Sequence, residues 1–270
     1  MSYHEGELAV QKRAGVTGLA AKVGRIIDGE IAAFAAAFLA RQRYVILSVR
    51  SDDGAPSARI VGGEPGFAEA VDPHTVTLTP AFGRVDDVRG DVGMLAIELA
   101  TRRRIRINGT ASANGNMLTI ITRQVYANCP QYIHPRSIEP RPAVAAPTSI
   151  ASPVLDESQC DWIERADTFF IATNHPTAGA DASHRGGPSG FVTVVSPTRL
   201  TFPDFSGNNM FNTLGNLAVN PRCALLFVDF DRGATLEVRG AAVVEWEGEE
   251  RQIVIDILEA IETTNAVPLQ

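Results

Sequence analysis

Short apolar runs rich in β-branched and aromatic residues recur along the chain: YVILSVR at 44–50, TVTLTP at 75–80, MLAIEL at 94–99, TFFIATN at 168–174, RLTFPD at 199–204 and ALLFVD at 224–229. Runs of this length, bounded by turn formers such as Asp52-Asp53-Gly54 and His175-Pro176, predict β-strands. IRI at 105–107 and LEV at 236–238 add two more, and Asn114-Gly115 between IRINGTASA and MLTIIT predicts a hairpin. Two stretches follow a different period. Ile26, Ile27, Ile31, Phe34 and Phe38 recur at helical spacing, which predicts a packing helix within residues 1–42. Met210, Leu214 and Leu217 share one face of a second helix within 202–222, entered through Ser206, Gly207, Asn208 and Asn209 and closed ahead of Pro221.

The pattern is written twice. Gly62, Gly66 and Phe67 reappear 124 residues later as Gly186, Gly190 and Phe191, and the strands at 44–50 and 75–80 reappear at the same offset. MLAIEL answers ALLFVD at an offset of 130, and IRING at 105–109 answers LEVRG at 236–240 at 131. A collinear match of this length signals an internal duplication. Closely spaced short strands in each copy suit a small barrel or sandwich. Residues 135–153 hold five prolines and read as an extended linker. The expected organisation is therefore a helical segment over 1–42, a first β domain over 43–134, the linker, and a second β domain over 154–270.

Composition narrows the function classes. With a formal net charge of −7, 45% apolar and 20% charged residues, the 270-residue chain lacks the broad positive charge that nucleic acid or anionic membrane binding needs. Arg102-Arg103-Arg104 is the only dense basic spot and reads as a solvated strand or turn. No apolar run approaches the ~20 residues of a membrane span, and the N-terminus does not resemble a secretion signal; a cytoplasmic location is expected. Cys129, Cys160 and Cys223 are odd in number and widely spaced, so neither a disulfide framework nor a metal site is expected. Cys129 has no base nearby in sequence and is not expected to be a nucleophile.

The copies differ in two places. Arg59-Ile60-Val61 becomes Ser183-His184-Arg185, which sets polar donors beside glycines that allow close approach to the backbone. The growth in offset also gives the second copy six extra residues within 202–222. Free N–H groups at a helix start, with Asn and Thr beside them and Arg185 on a neighbouring strand, make a seat for a phosphate. His184 is the one candidate for proton transfer, because its intrinsic pKa is near neutral. GGPSG is not a dinucleotide fingerprint. Ser183 and His184, adjacent on a strand, point to opposite faces and cannot form a hydrolase pair.

ADASHRGGPSGF, TFPDFSGNNMFNTLGNLAVNPRCALLF and LEVRGAA together resemble the pyridoxamine 5′-phosphate oxidase-like group of flavin-binding split barrels. HEGELAVQKRAG, IELATRRRIRING and NCPQYI resemble its tandem members, in which a degenerate barrel precedes a flavin-binding one. The resemblance implies a mainly β protein with peripheral helices, two tandem six-stranded antiparallel split barrels, and FMN as cofactor of an oxidoreductase acting on a small substrate. A non-catalytic carrier or sensor of flavin, deazaflavin or haem is the alternative. Carried over by position, Ser183, His184, Arg185, Gly186 and Gly187 would run along the flavin, with Pro203 and Asp204 flanking it. Asn208, Asn209, Asn212 and Thr213 would sit at the phosphate end, where the oxidases proper carry Arg and Lys. The two barrels would pair within the chain, and two whole chains would be able to form a homodimer.

Overall fold

The computed structural model describes residues 3–127, 130–207 and 209–270. Three helices, α1 (Glu5–Arg13), α2 (Thr17–Val23) and α3 (Ala33–Ala40), precede seven strands: β1 (Tyr44–Arg50), β2 (Pro56–Gly62), β3 (Ala68–Asp72), β4 (Thr75–Leu78), β5 (Arg89–Glu98), β6 (Arg103–Asn114) and β7 (Met117–Ala127). After β8 (Thr148–Ser152) and α4 (Glu157–Arg165) come β9 (Thr168–His175), β10 (Gly179–Gly186), β11 (Thr193–Ser196) and β12 (Arg199–Pro203). Helix α5 (Asn212–Val219), β13 (Arg222–Asp229), β14 (Ala234–Glu247) and β15 (Glu250–Thr264) complete the chain.

The strands form two antiparallel sheets of the same topology, β2-β1-β5-β6-β7-β4-β3 and β10-β9-β13-β14-β15-β12-β11. Each curls around its own apolar core, one centred on Leu47, Met94 and Ile107, the other on Phe169, Phe202 and Phe227. Short β3 and β11 extend the six-stranded path of each split barrel by one strand. Even the irregularities repeat: a bulge at Asn108/Gly109 recurs at Arg239/Gly240. The pairing also corrects the sequence alignment. Ile46 faces Leu95 and its counterpart Phe170 faces Leu226, so β5 and β13 are offset by 131 and the second copy carries seven extra residues rather than six.

Side chains from both halves form a third apolar cluster, including Ile46, Ile60, Leu95, Phe170, Ala182 and Leu226, which joins the barrels along a seam. β10 lies against β5 and β6 there. A Cβ on Gly93 would stand 2.7 Å from the Ala182 nitrogen and Asp181 Cα, so this approach requires glycine. Ile60 packs in the seam, whereas Val61 points into the first barrel's own core.

Three elements differ from the sequence expectation. The helix through Ile26–Phe38 is broken, because Asp28 pairs with Val125 of β7 and its carboxylate accepts the Gly29 N–H in a turn. Ile26 and Phe34 are consequently exposed. The helix within 202–222 begins only at Asn212, after Asn209 and Phe211 adopt left-handed backbone (φ 61° and 60°). The proline-rich segment is not wholly free: its end is β8, paired with β15, and Arg141 donates to the Asp231 and Arg232 carbonyls. No helix among the described residues is long and apolar enough to cross a membrane.

Candidate functional site

Strand β10 is buried along nearly its whole length, yet carries Asp181, Ser183, His184 and Arg185. Polar side chains in such a place need partners. Most come from the other half. Arg106 of β6, itself 6% exposed, donates to both Asp181 carboxylate oxygens (3.2 Å each), to the Ser183 hydroxyl and to Asn212 Oδ1 (3.5 Å). Asn212 then donates through Nδ2 to Glu7 Oε1 of α1 at 2.6 Å. Burial pushes the Glu7 carboxyl up to about 7, against the opposing pull of the His4 N–H and Asn212.

Arg185 pairs with Asp204 (3.2 Å), which also accepts from Arg251 Nε (2.8 Å). Arg104 of β6 reaches His184 Nδ1 at 3.1 Å. A guanidinium only donates, so Nδ1 must carry the lone pair and the neutral ring holds its proton on Nε2. Burial and the nearby charges of Arg104, Arg185 and Arg106 hold the His184 pKa well below its usual value. The ring is thus a neutral N–H donor. Its Nε2, like Arg185 Nε, is buried with no hydrogen-bond partner among the described residues.

These groups face a cleft of about 610 Å³, partly open to solvent, walled by Arg104 and Tyr132 from the first half and His184, Arg185, Pro203 and Phe205 from the second. Tyr132 stacks on Phe205, ring centroids 5.1 Å apart. Through Arg106, Ser183 and Arg185 the cleft continues into a space of about 390 Å³ bounded by Asn209, Asn212 and Thr213. There α5 starts at Asn212, and Phe211 at its N-cap position supplies no side-chain hydrogen bond to its first N–H groups. Arg104, Arg106, Arg185 and Arg251 stand against the carboxylates of Asp181 and Asp204, a surplus of two positive charges.

The structure therefore gathers Ser183, His184, Arg185, Gly186, Pro203, Asp204, Asn209, Asn212 and Thr213 around one connected cleft. Gly187 lies apart, where a Cβ would meet the Phe191 ring at 2.6 Å. Gly186 makes room for the Tyr132 carbonyl of the first half. Asn208 and Cys129 lie outside the described residues. Arg104, Arg106 and Tyr132 escaped the sequence reading of the site. Their signal was alternation: Arg104 and Arg106 share one face of a strand whose other face holds Ile105 and Ile107.

A second polar cluster, His4, Glu5 and His175, has its ligand atoms within 4.8 Å of one another. His4 Nδ1 accepts the Gly6 N–H (3.2 Å), and His175 Nδ1 accepts those of Thr177 and Ala178 (3.1 and 2.9 Å). Both Nε2 atoms therefore carry hydrogen, His175 donating to Glu5 at 2.9 Å, and neither offers a metal a lone pair. The cluster ties α1 to the second barrel.

Residues 155–265 match the family model described as pyridoxamine 5′-phosphate oxidase. No curated protein matches the chain. Among solved structures, the H111A form of HupZ from Group A Streptococcus is 12% identical, over 40% of this chain and 98% of that one, with a TM-score of 0.33. A putative pyridoxamine 5′-phosphate oxidase from Corynebacterium glutamicum is 9% identical, over 43% and 94%, with a TM-score of 0.31. The FAD binding protein from Mycobacterium smegmatis is 14% identical, over 44% and 98%, with a TM-score of 0.30. The molecule is thus a tandem split-barrel protein. Its second half belongs to the pyridoxamine 5′-phosphate oxidase-like split-barrel family.

Proposed function

We propose that the cleft binds FMN and that the protein is a flavin-dependent oxidoreductase acting on a small substrate. The observation that carries this reading is the pair of buried donors, His184 Nε2 and Arg185 Nε, left without acceptors among the described residues, beside a helix start whose N-cap residue makes no side-chain cap and a surplus of positive charge. Unpartnered buried donors cost stability unless a ligand supplies acceptors. The family of residues 155–265 makes a flavin the fitting ligand. Arg185, Arg106, Ser183 and the first N–H groups of α5 would hold the phosphate, with Thr213 beside them. Arg106, contributed by the first barrel, supplies the charge that Asn212 and Thr213 lack at the helix start.

Bound FMN would supply hydride or single-electron transfer; the protein supplies orientation and electrostatics. His184, fixed as a neutral Nε2 donor, would orient an acceptor atom of the ligand rather than shuttle protons. That tautomer also disfavours haem, whose iron needs the Nε2 lone pair. With His184 so held, no cleft side chain among the described residues is poised as an acid or base, which favours a flavin carrier as the second reading; turnover with NADH or NADPH separates it from an oxidoreductase.

Titration of the wild type and of Arg185→Ala with FMN and with riboflavin tests the site. Loss of one charge-assisted contact should cost FMN about 1.5–3 kcal/mol and leave riboflavin nearly unchanged. Equal losses for both ligands would assign Arg185 to the ring or the fold.

A further inference from the structure

On the far side of Arg104 lies a groove of about 1010 Å³ lined by Phe34, Phe38, Arg41, Arg102, Arg103 and Arg104, all from the first half of the chain. Its charge is one-sided. Four arginines and no carboxylate line it, in a chain whose formal net charge is −7. Arg41 is engaged with Glu98 at 3.2 Å. The side chains of Arg102 and Arg103 are exposed and have no hydrogen-bond or ion-pair partner among the described residues.

Two further features mark this surface. Phe34 is 66% exposed on a helix whose Ala35, Phe38 and Leu39 pack inward. Arg102 occupies left-handed backbone (φ 55°), where glycine or asparagine would be less strained. An exposed ring facing unpaired guanidinium groups is complementary to a flat apolar body that carries negative charge. The groove shares Arg104 with the cleft described above, so an occupant would lie one side chain away from His184.

We propose that this groove is a second ligand site, taking a small molecule in which a flat apolar body bears a phosphate-monoester dianion. The body rests on Phe34, Phe38 being buried with Arg41 over its ring, and the anion meets Arg102 and Arg103. Its role as the reaction partner of the cofactor rests on the flavin reading; the binding itself rests on these residues alone.

The test uses 2-naphthyl phosphate as probe, with inorganic phosphate and 2-naphthol as its two parts, titrated calorimetrically into the full chain with and without FMN. The naphthyl phosphate should bind more tightly than either part, more weakly as salt rises, and equally with FMN present. Arg102→Gly/Arg103→Ala should weaken it by about tenfold or more at unchanged melting temperature, glycine being suited to that φ, and Phe34→Ser should weaken it independently. FMN affinity of the arginine double variant should match the wild type. Binding that survives the double variant, that 2-naphthol reproduces, or that FMN displaces would overturn the proposal. Failure of FMN to bind while the probe still binds here would sink the flavin reading alone.

Discussion

Arg106 brings a full charge into a site 6% exposed, and Asp181 answers it from the other barrel. Removing one member of a buried pair leaves the other uncompensated, so Arg106→Met should cost about 3–5 kcal/mol in urea unfolding. Adding Asp181→Asn should recover part of that loss, and additive losses would show that the pair is not coupled. Glu7 gives a pH signature. Its folded pKa of about 7 lies above the ordinary 4.5, so its neutral form is favoured in the fold. The stability tied to that form is complete below about pH 4.5 and lost as pH rises through 7, by up to about 3 kcal/mol. Glu7→Gln should flatten stability across that window, and an unchanged pH profile would remove Glu7 as its source. Neither residue was legible as functional. Their partners lie 75 and 205 positions away, and only the strand register brings them together.

At the scale of elements, α1 is pinned to α5 by close backbone approach. A Cβ on Gly215 would fall 2.7 Å from the Glu7 nitrogen and Cα, with nowhere for either backbone to move. Gly215→Ala should therefore cost about 1–3 kcal/mol and raise amide exchange across Glu5–Arg13 more than in β13; uniform exchange would mean that α1 is held by other contacts. Most strands could be read from β-branched runs between turn residues. The helices were harder. Spacing alone joined Ile26 to Phe38, while the breaker lay in plain sight as Asp28-Gly29. Likewise, Thr148–Ser152 is a β-capable run hidden between Pro147 and Pro153, and only the exposed edge of β15 makes it a strand.

The duplicated molecule has two equivalent places along its seam, and they differ in sign. The strand register equates Arg106 with Glu237, whose carboxylate accepts the Ala58 N–H at 2.7 Å and pairs with Arg239. The counterparts of His184, Arg185 and Asp204 in the first copy are Ile60, Val61 and Pro80, none of them charged. An anion would find donors at one end of the seam and a carboxylate at the other. The asymmetry was legible in the second copy as Ser183-His184-Arg185, but its complement on β6 was not, because the alternating arginines read as solvated surface. The central claim is one flavin site per chain, built by both barrels. A crystal structure of the protein with FMN tests it most directly: the account expects one flavin per chain, its phosphate at Arg185, Arg106 and the start of α5, and its ring end within reach of His184 Nε2. Flavin bound at Glu237 instead, or a second flavin per chain at that place, would contradict it.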